Sequence, residues 1–206
     1  MTDSMHKCFI SYHHDNDQYY KEELLSINNG HNLFIDASVD TGDIDDNLSD
    51  ESIRQKIRDE YLADSSVTIL LVGTETKGRK HIDWEIYSSM FDGTVNKKSG
   101  VLVINLPSTG CTYFTAAHGE NEKTSVYPKT TNWTTINSRA EYDRRYPYMP
   151  TRIIDNLLKK GAKVSVTNWN TVTEDIGRLK LLIDLTFTDR LNCDYDLSRS
   201  MKRADS

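Results

Sequence analysis

Two segments far apart in the chain carry the side chains best suited to act together in chemistry. Residues 8–14 (CFISYHH) are apolar and end in hydroxyl and imidazole groups, whereas residues 81–87 (HIDWEIY) have helical spacing and contain Glu85. A carboxylate such as Glu85 can stabilise positive charge that develops in a transition state, so a catalytic role is one interpretation of this residue. The alternative is that Glu85 lies near a helix N-terminus and only complements the helix dipole.

The polar end of the first segment supplies candidate binding groups. The residues predicted to line the site with Glu85 are Phe9, Ser11, Tyr12 and His13. A hydrogen-bonding or positional role is expected for His13, because the sequence around it offers neither a nucleophile that it could activate nor a second set of metal ligands. The chain contains no P-loop, G-x-G-x-x-G, H-E-x-x-H or G-x-S-x-G motif. Kinase, dehydrogenase, zinc-protease and α/β-hydrolase activities therefore have no local support.

The composition excludes further classes of function. The chain has 206 residues and a formal net charge of −6, which argues against nucleic-acid or anionic-membrane binding, because both depend on clustered Lys and Arg. Its N-terminus lacks the basic and apolar regions of a signal peptide, and its apolar runs are too short to span a membrane. The three cysteines are widely spaced and form neither a metal-ligand pattern nor a disulfide framework. A cytoplasmic protein without a metal site is expected.

Five short apolar runs are predicted to be strands, at residues 8–12, 33–35, 67–72, 101–106 and 163–167. Three of them are almost continuously apolar, which is typical of strands buried on both faces of a parallel sheet. Helical patterns lie between the runs. The alternation predicts an α/β, flavodoxin-like sheet of five parallel strands in the order 2-1-3-4-5, with helices on both faces.

This topology brings the two chemistry-bearing segments together. The strand order reverses between strands 1 and 3, and ligands bind beyond the carboxyl ends of the strands at such a point. Those ends are residues 11–14 and 73–77, and the helix that carries Glu85 follows the second of them. One crevice surrounded by Glu85 and the end of strand 1 is therefore predicted.

The domain organisation and several helix ends can also be predicted. A single domain is expected over residues 6–191, with an irregular insertion at 107–150 and a polar, frayed tail at 192–206. Gly30 is predicted to end the first helix, and Thr151 to cap the helix that follows the insertion. Residues 171–174 (TVTE) match a capping box ahead of the last helical run.

The strand 9–12 (FISY) and the Trp84-Glu85 pair on the helix after the third strand resemble TIR-like domains, over most of residues 6–106 and more loosely to residue 191. The long insertion, the helix start at 150–153 and the strand at 164–167 are most similar to the TIR-like proteins of the bacterial Thoeris anti-phage system. Many TIR domains place a Trp four residues before the glutamate. Here that position is His81, so Trp84 either contacts substrate or only packs against the sheet.

The resemblance implies an enzyme whose substrate, not cofactor, is NAD⁺. Glu85 would face the ribose on the nicotinamide side and stabilise an oxocarbenium-like state. The product would be a cyclic ADP-ribose isomer that diffuses to a partner effector protein after a phage-derived trigger, and self-association is a further possibility. The substrate-binding residues predicted on this basis are Phe9, Ser11, Tyr12, His13, Asp36, Asp45, His81 and Trp84.

Two charged segments flank this predicted site. Residues 36–51 hold seven carboxylates and no Lys or Arg, at the place where TIR domains have a mobile loop over the substrate; a solvated acidic loop is the alternative. Lys77, Arg79, Lys80 and His81 precede the Glu85 helix. They could receive a pyrophosphate at its N-terminus, or could simply be exposed.

Two functions of other classes compete with the enzyme. A non-enzymatic TIR-like interaction module would signal by association and would not need Glu85. A response-regulator-like receiver shares the strand order, but it needs an acidic pair after strand 1 and an Asp at the end of strand 3. Residues 13–15 (HHD) and 73–75 (GTE) fit that pattern poorly, so the receiver ranks last.

Overall fold

The computed structural model describes residues 5–38, 44, 45, 47–62 and 64–206. Within the acidic segment 36–51, residues 39–43 and 46 lie outside this description, so the predicted lid is assessed only at residues 36–38, 44, 45 and 47–51. None of the helices among the described residues is both long and apolar enough to cross a membrane.

A five-stranded parallel sheet forms the centre of the molecule, with the strand order β2-β1-β3-β4-β5. The strands are β1 (His6–Ser11), β2 (Phe34–Asp36), β3 (Val67–Val72), β4 (Gly100–Asn105) and β5 (Ser165–Asn168). Every residue of β3 and β4 is buried, as expected for central strands covered on both faces. The predicted α/β, flavodoxin-like fold and its strand order are confirmed.

Eight α-helices are assigned among the described residues. They are α1 (His14–His31), α2 (Asp50–Lys56), α3 (Lys80–Met90), α4 (Glu120–Val126), α5 (Arg139–Arg145), α6 (Thr151–Leu158), α7 (Trp169–Thr173) and α8 (Ile176–Asp189). A π-helical turn at Ile57–Tyr61 continues α2. Short 3₁₀ turns lie at Thr76–Gly78, Pro107–Thr109 and Arg190–Asn192.

The strands direct alternate residues to two helical layers. On one face, Ile10 and Ile69 pack with Leu24 of α1 and Leu182 of α8. On the other face, Leu70 packs with residues of α3 and α6, and Phe9 packs with residues of α2 and α3. Because α3 lies on this second face, the side chains of β1 that can reach it come from every second residue.

Three predicted helix boundaries are wrong. The first helix continues through Gly30 and ends at His31, with Asn32 as a left-handed cap at φ 52° whose N–H donates to the Asn28 carbonyl. Pro150, not Thr151, occupies the N-cap position of α6. The capping box is not formed, because residues 171–173 belong to α7 and the Asp175 carboxylate caps α8 by accepting from the Gly177 N–H at 3.0 Å.

Two regions expected to be irregular are more ordered than predicted. The insertion at 107–150 contains α4 and α5, and it buries Tyr142 and Tyr146 against β3 and β4 residues. The polar tail at 192–206 is not frayed, since Cys193 and Met201 are each 3% exposed. Its few apolar side chains pack into the core, which the polar composition of the tail does not indicate. The division at residue 191 stays a prediction.

Candidate active site

A buried hydrogen bond joins the two segments that were predicted to act together. The Ser11 hydroxyl, at the end of β1, donates to Oε2 of Glu85 on α3 over 2.6 Å. Ser11 is 1% exposed and Glu85 is 4% exposed. Ser11 lies opposite Leu70 of β3, so it shares the face of the sheet that α3 covers. The strand order and the strand alternation together produce this contact.

Glu85 is buried because of its position on α3. Ile82, Ile86 and Ser89 follow helical spacing and face the sheet. The Ser89 and Thr68 hydroxyls are hydrogen-bonded at 2.7 Å, which fixes the end of the helix against β3. Glu85 lies on the same stripe, one turn before Ser89, and is therefore directed inward.

Burial raises the pKa of Glu85 to about 7, and the hydrogen bond from Ser11 opposes that rise. Both the protonated and the ionised forms of Glu85 are therefore accessible near neutral pH. The Ser11 hydroxyl satisfies only part of the accepting capacity of an ionised carboxylate. A cation or sugar hydroxyls brought beside Glu85 would favour the ionised form and lower this pKa.

His13, two residues after Ser11, is in contact with Arg79. His13 is 4% exposed, and its Nδ1 lies 3.3 Å from the Asn16 N–H at the start of α1. Arg79, the N-cap residue of α3, donates from Nε to His13 Nε2. A neutral imidazole accepts at one nitrogen only, so the Arg79 and Asn16 contacts compete. The contacts fit the predicted positional role of His13.

Tyr12 points away from Glu85. Its ring stacks on His14 with centroids 4.5 Å apart, and its hydroxyl donates to Gln18 Oε1 at 2.5 Å. It belongs to the apolar cluster on the opposite face of the sheet. This orientation follows from the alternation of neighbouring side chains along β1.

Phe9 and Trp84 are buried together on the Glu85 side of the sheet. They share an apolar cluster with Ile44 and Met201. The Trp84 Nε1–H donates to the Lys202 carbonyl at 2.7 Å, and Trp84 is fully buried. Their predicted contact with substrate stays a prediction, and it requires this cover to move.

The three remaining predicted binding residues are His81, Asp36 and Asp45. His81 meets the Trp84 ring edge-on, with centroids 4.8 Å apart. Asp36 is exposed and accepts from the Ser38 N–H at 2.9 Å, while Asp45 accepts from the Asn47 N–H at 2.9 Å. Both carboxylates therefore accept hydrogen bonds from backbone N–H groups two residues further along the same segment. No group of three or more His, Cys, Asp or Glu side chains among the described residues could hold a metal ion.

A second buried carboxylate lies at the same edge of the sheet and was not among the predicted site residues. Asp17 of α1 is 2% exposed, and its Oδ2 has no hydrogen-bond partner among the described residues. Burial raises the pKa of Asp17, and the nearby His13 opposes the rise. A Cβ on Gly73, directly after β3, would lie 2.4 Å from both Asp17 oxygens, so this close approach requires glycine. A glycine immediately after a central strand was the available signal.

Comparison with known families adds independent information. Residues 9–110, about half of the chain, match the family model described as "Thoeris protein ThsB, TIR-like domain". The matched stretch contains both Ser11 and Glu85. No curated protein matches the chain.

Proposed function

Because residues 9–110 belong to the ThsB family of TIR-like domains in Thoeris defence, we propose that this chain is an enzyme that consumes NAD⁺ during anti-phage defence. The observation that supports the proposal is the buried Ser11–Glu85 hydrogen bond at the point where the strand order reverses. The Glu85 carboxylate, which can accept further hydrogen bonds, therefore lies where this type of sheet binds ligands.

The first step is cleavage of the bond between nicotinamide and ribose. The electron pair of the C–N bond moves to the pyridinium nitrogen, so nicotinamide leaves as a neutral molecule and needs no general acid. The ribose carbon becomes oxocarbenium-like. The ionised Glu85 accepts hydrogen bonds from the ribose hydroxyls and stabilises the developing positive charge. Ser11 holds the carboxylate in place.

The second step is capture of the cation. Attack by water yields ADP-ribose and one proton. Attack by a nucleophile of the same molecule, on the adenine or on the distal ribose, yields a cyclic ADP-ribose isomer and one proton. A lid that closed over bound NAD⁺ and excluded water would favour the cyclic product. The cyclic isomer would serve as the diffusible signal that activates a partner effector protein.

The experiment measures NAD⁺ and its products. Purified protein is incubated with NAD⁺, alone and with lysate from phage-infected cells, and the products are separated by chromatography and identified by mass. Activity that is lost in Glu85→Gln but kept in Glu60→Gln supports the proposal. Glu60 is a matched control because it is exposed and lies in the turn that precedes β3, at the opposite edge of the sheet. Turnover that Glu85→Gln leaves unchanged would contradict the catalytic role.

A non-enzymatic interaction module is the second candidate. The observation that favours it is the closed state of the site, since Glu85 is only 4% exposed. An adaptor would consume no NAD⁺ under either condition, and Glu85→Gln would leave its effect on phage infection intact. A phage-protection assay in cells that carry each variant distinguishes the two candidates.

A further inference from the structure

Residues 199–206 pass over the first turns of α3, next to the proposed site. The Lys202 N–H donates to Asp83 Oδ2 at 2.9 Å, and the Lys202 carbonyl accepts from Trp84 Nε1 at 2.7 Å. The Ser206 N–H donates to the Gly78 carbonyl at 3.1 Å. The 199–206 segment therefore follows the helix that carries Glu85.

A carboxylate of this segment occupies the N-terminus of α3. Asp205 Oδ1 accepts from the Lys80 backbone N–H at 2.8 Å, and Oδ2 accepts from Arg79 Nη1 at 3.1 Å. Burial acts to raise the pKa of Asp205, but these two donors, together with the charges of Arg79 and His81, outweigh it and hold the pKa below its ordinary value. Arg79 also contacts His13, the predicted binding residue at the end of β1. An anion from within the chain thus occupies a position one contact from the proposed site.

The same segment contributes to the apolar cover. Met201 is 3% exposed and packs with Phe9 and Trp84. Phe9 precedes Ser11 on the same face of β1, and Trp84 precedes Glu85 on α3. Displacing Met201 would therefore uncover the two aromatic residues that lie beside the Ser11–Glu85 pair.

The segment is also connected to the acidic loop. Arg203 donates from Nη1 to the Leu48 carbonyl at 2.8 Å, and its other terminal nitrogen pairs with Asp50. Ile44 of the loop packs in the same cluster as Met201. The described end of the predicted lid and the 199–206 segment are therefore held together.

We propose that the 199–206 segment is an autoinhibitory latch, in which Asp205 occupies the position that the pyrophosphate of the substrate needs. The inference rests on the proposed function, because it assigns regulation to the same site. A carboxylate and a phosphate require the same donors, the Lys80 N–H and the Arg79 guanidinium, so they cannot bind there together. The polar contacts at Arg79 and Arg203 are partly exposed, and such ion pairs are weak. A trigger that binds the segment can release it.

The first test measures anion binding, which does not depend on catalysis. Inorganic pyrophosphate is titrated into the parent protein, Asp205→Asn, Asp205→Ala and the control Asp194→Asn by calorimetry. Asp194 is an exposed acid of the same tail that pairs with Lys159, the residue after α6. We expect Asp205→Ala to bind pyrophosphate with a Kd about tenfold lower than the parent and Asp205→Asn to lie between them. Asp194→Asn should bind pyrophosphate with the affinity of the parent. Adding Arg79→Gln to Asp205→Ala should abolish the tenfold gain in affinity.

The second test measures NAD⁺ turnover by the same proteins without any trigger, with circular dichroism to verify folding. Turnover that rises in Asp205→Ala and not in Asp194→Asn supports the latch. Unchanged pyrophosphate affinity and unchanged turnover in both folded Asp205 variants overturn it. If Asp205→Ala binds pyrophosphate more tightly but no preparation consumes NAD⁺, even with lysate from infected cells, the latch is supported and only the proposed chemistry is overturned.

Discussion

Asp83 and Glu85 lie two residues apart on α3, and both carboxylates are buried, but within the described part of the chain only Asp83 has a charged partner. Asp83 accepts from Arg152 Nε at 2.9 Å and from its Nη2 at 3.0 Å. Glu85 accepts from the neutral Ser11 hydroxyl. A buried carboxylate without a charged partner is costly, and such groups are concentrated at functional sites, which supports the catalytic role proposed for Glu85.

The pH dependence of the proposed activity follows from this difference. The pKa of Glu85 is about 7 because the side chain is buried, and the mechanism requires the ionised form. We expect kcat/KM for NAD⁺ to rise between pH 6 and pH 8 with a midpoint near 7, since kcat/KM reports the free enzyme. Initial rates over this range test the expectation. A profile that falls with pH would show that the protonated form is the active one.

Glu85 should also make the protein less stable at high pH. Its folded pKa of about 7 exceeds the ordinary value of 4.5, so between these values the folded state binds more protons and stability falls as pH rises. Glu85→Gln should therefore be more stable than the parent at pH 8, by up to roughly 3 kcal/mol, and the gain should vanish near pH 4.5. Urea unfolding at several pH values measures it. The exposed control Glu60→Gln should show no such dependence, and a Glu85→Gln gain that persists unchanged at low pH would contradict the assignment.

Arg152 should be important for stability. It is fully buried, pairs with Asp83 and also donates to the carbonyls of Arg199 and Ser200. Arg152→Met leaves the Asp83 charge buried without its cation, which typically costs about 3–5 kcal/mol. The double variant with Asp83→Leu removes both charges and should recover part of that loss. Unfolding free energies of the single and double variants measure the coupling, and strictly additive losses would argue against an energetically coupled pair.

The parts of this fold that could be predicted are those that depend on hydrophobic pattern. Almost continuous apolar runs such as 67–72 are typical of strands buried on both faces of a parallel sheet. When such strands are separated by helices, only a small number of strand orders is possible. The meeting of Ser11 and Glu85 follows from that order, because both lie at the carboxyl edge where it reverses. These expectations needed no knowledge of individual side-chain contacts.

The parts that could not be predicted depend on contacts between residues distant in sequence. The Arg79–Asp205 pair joins residues 126 positions apart, and no local pattern indicates it. The expected fraying of 192–206 was wrong because Met201, one apolar residue in a polar stretch, is buried between elements that the tail's own sequence does not reveal. Helix α1 runs past Gly30 to His31 because the side-chain oxygen Oδ1 of Asn28 accepts from the Leu33 and Phe34 N–H groups and so fixes the chain where it leaves the helix.

The close approach of Asp17 to Gly73 leads to the last prediction. A Cβ at position 73 would lie 2.4 Å from the Asp17 carboxylate oxygens, so Gly73→Ala forces a buried side chain or the end of β3 to shift. We expect a loss of about 1–3 kcal/mol, typical of overpacking. Asp17→Ala in the same background removes the clash, so the double variant should be more stable than Gly73→Ala alone. A double-mutant cycle by urea unfolding measures this coupling, with Gly30→Ala as the control because a Cβ there meets nothing within 4 Å. If Gly73→Ala is no less stable than Gly30→Ala, or if Asp17→Ala fails to rescue it, the carboxylate does not restrict position 73.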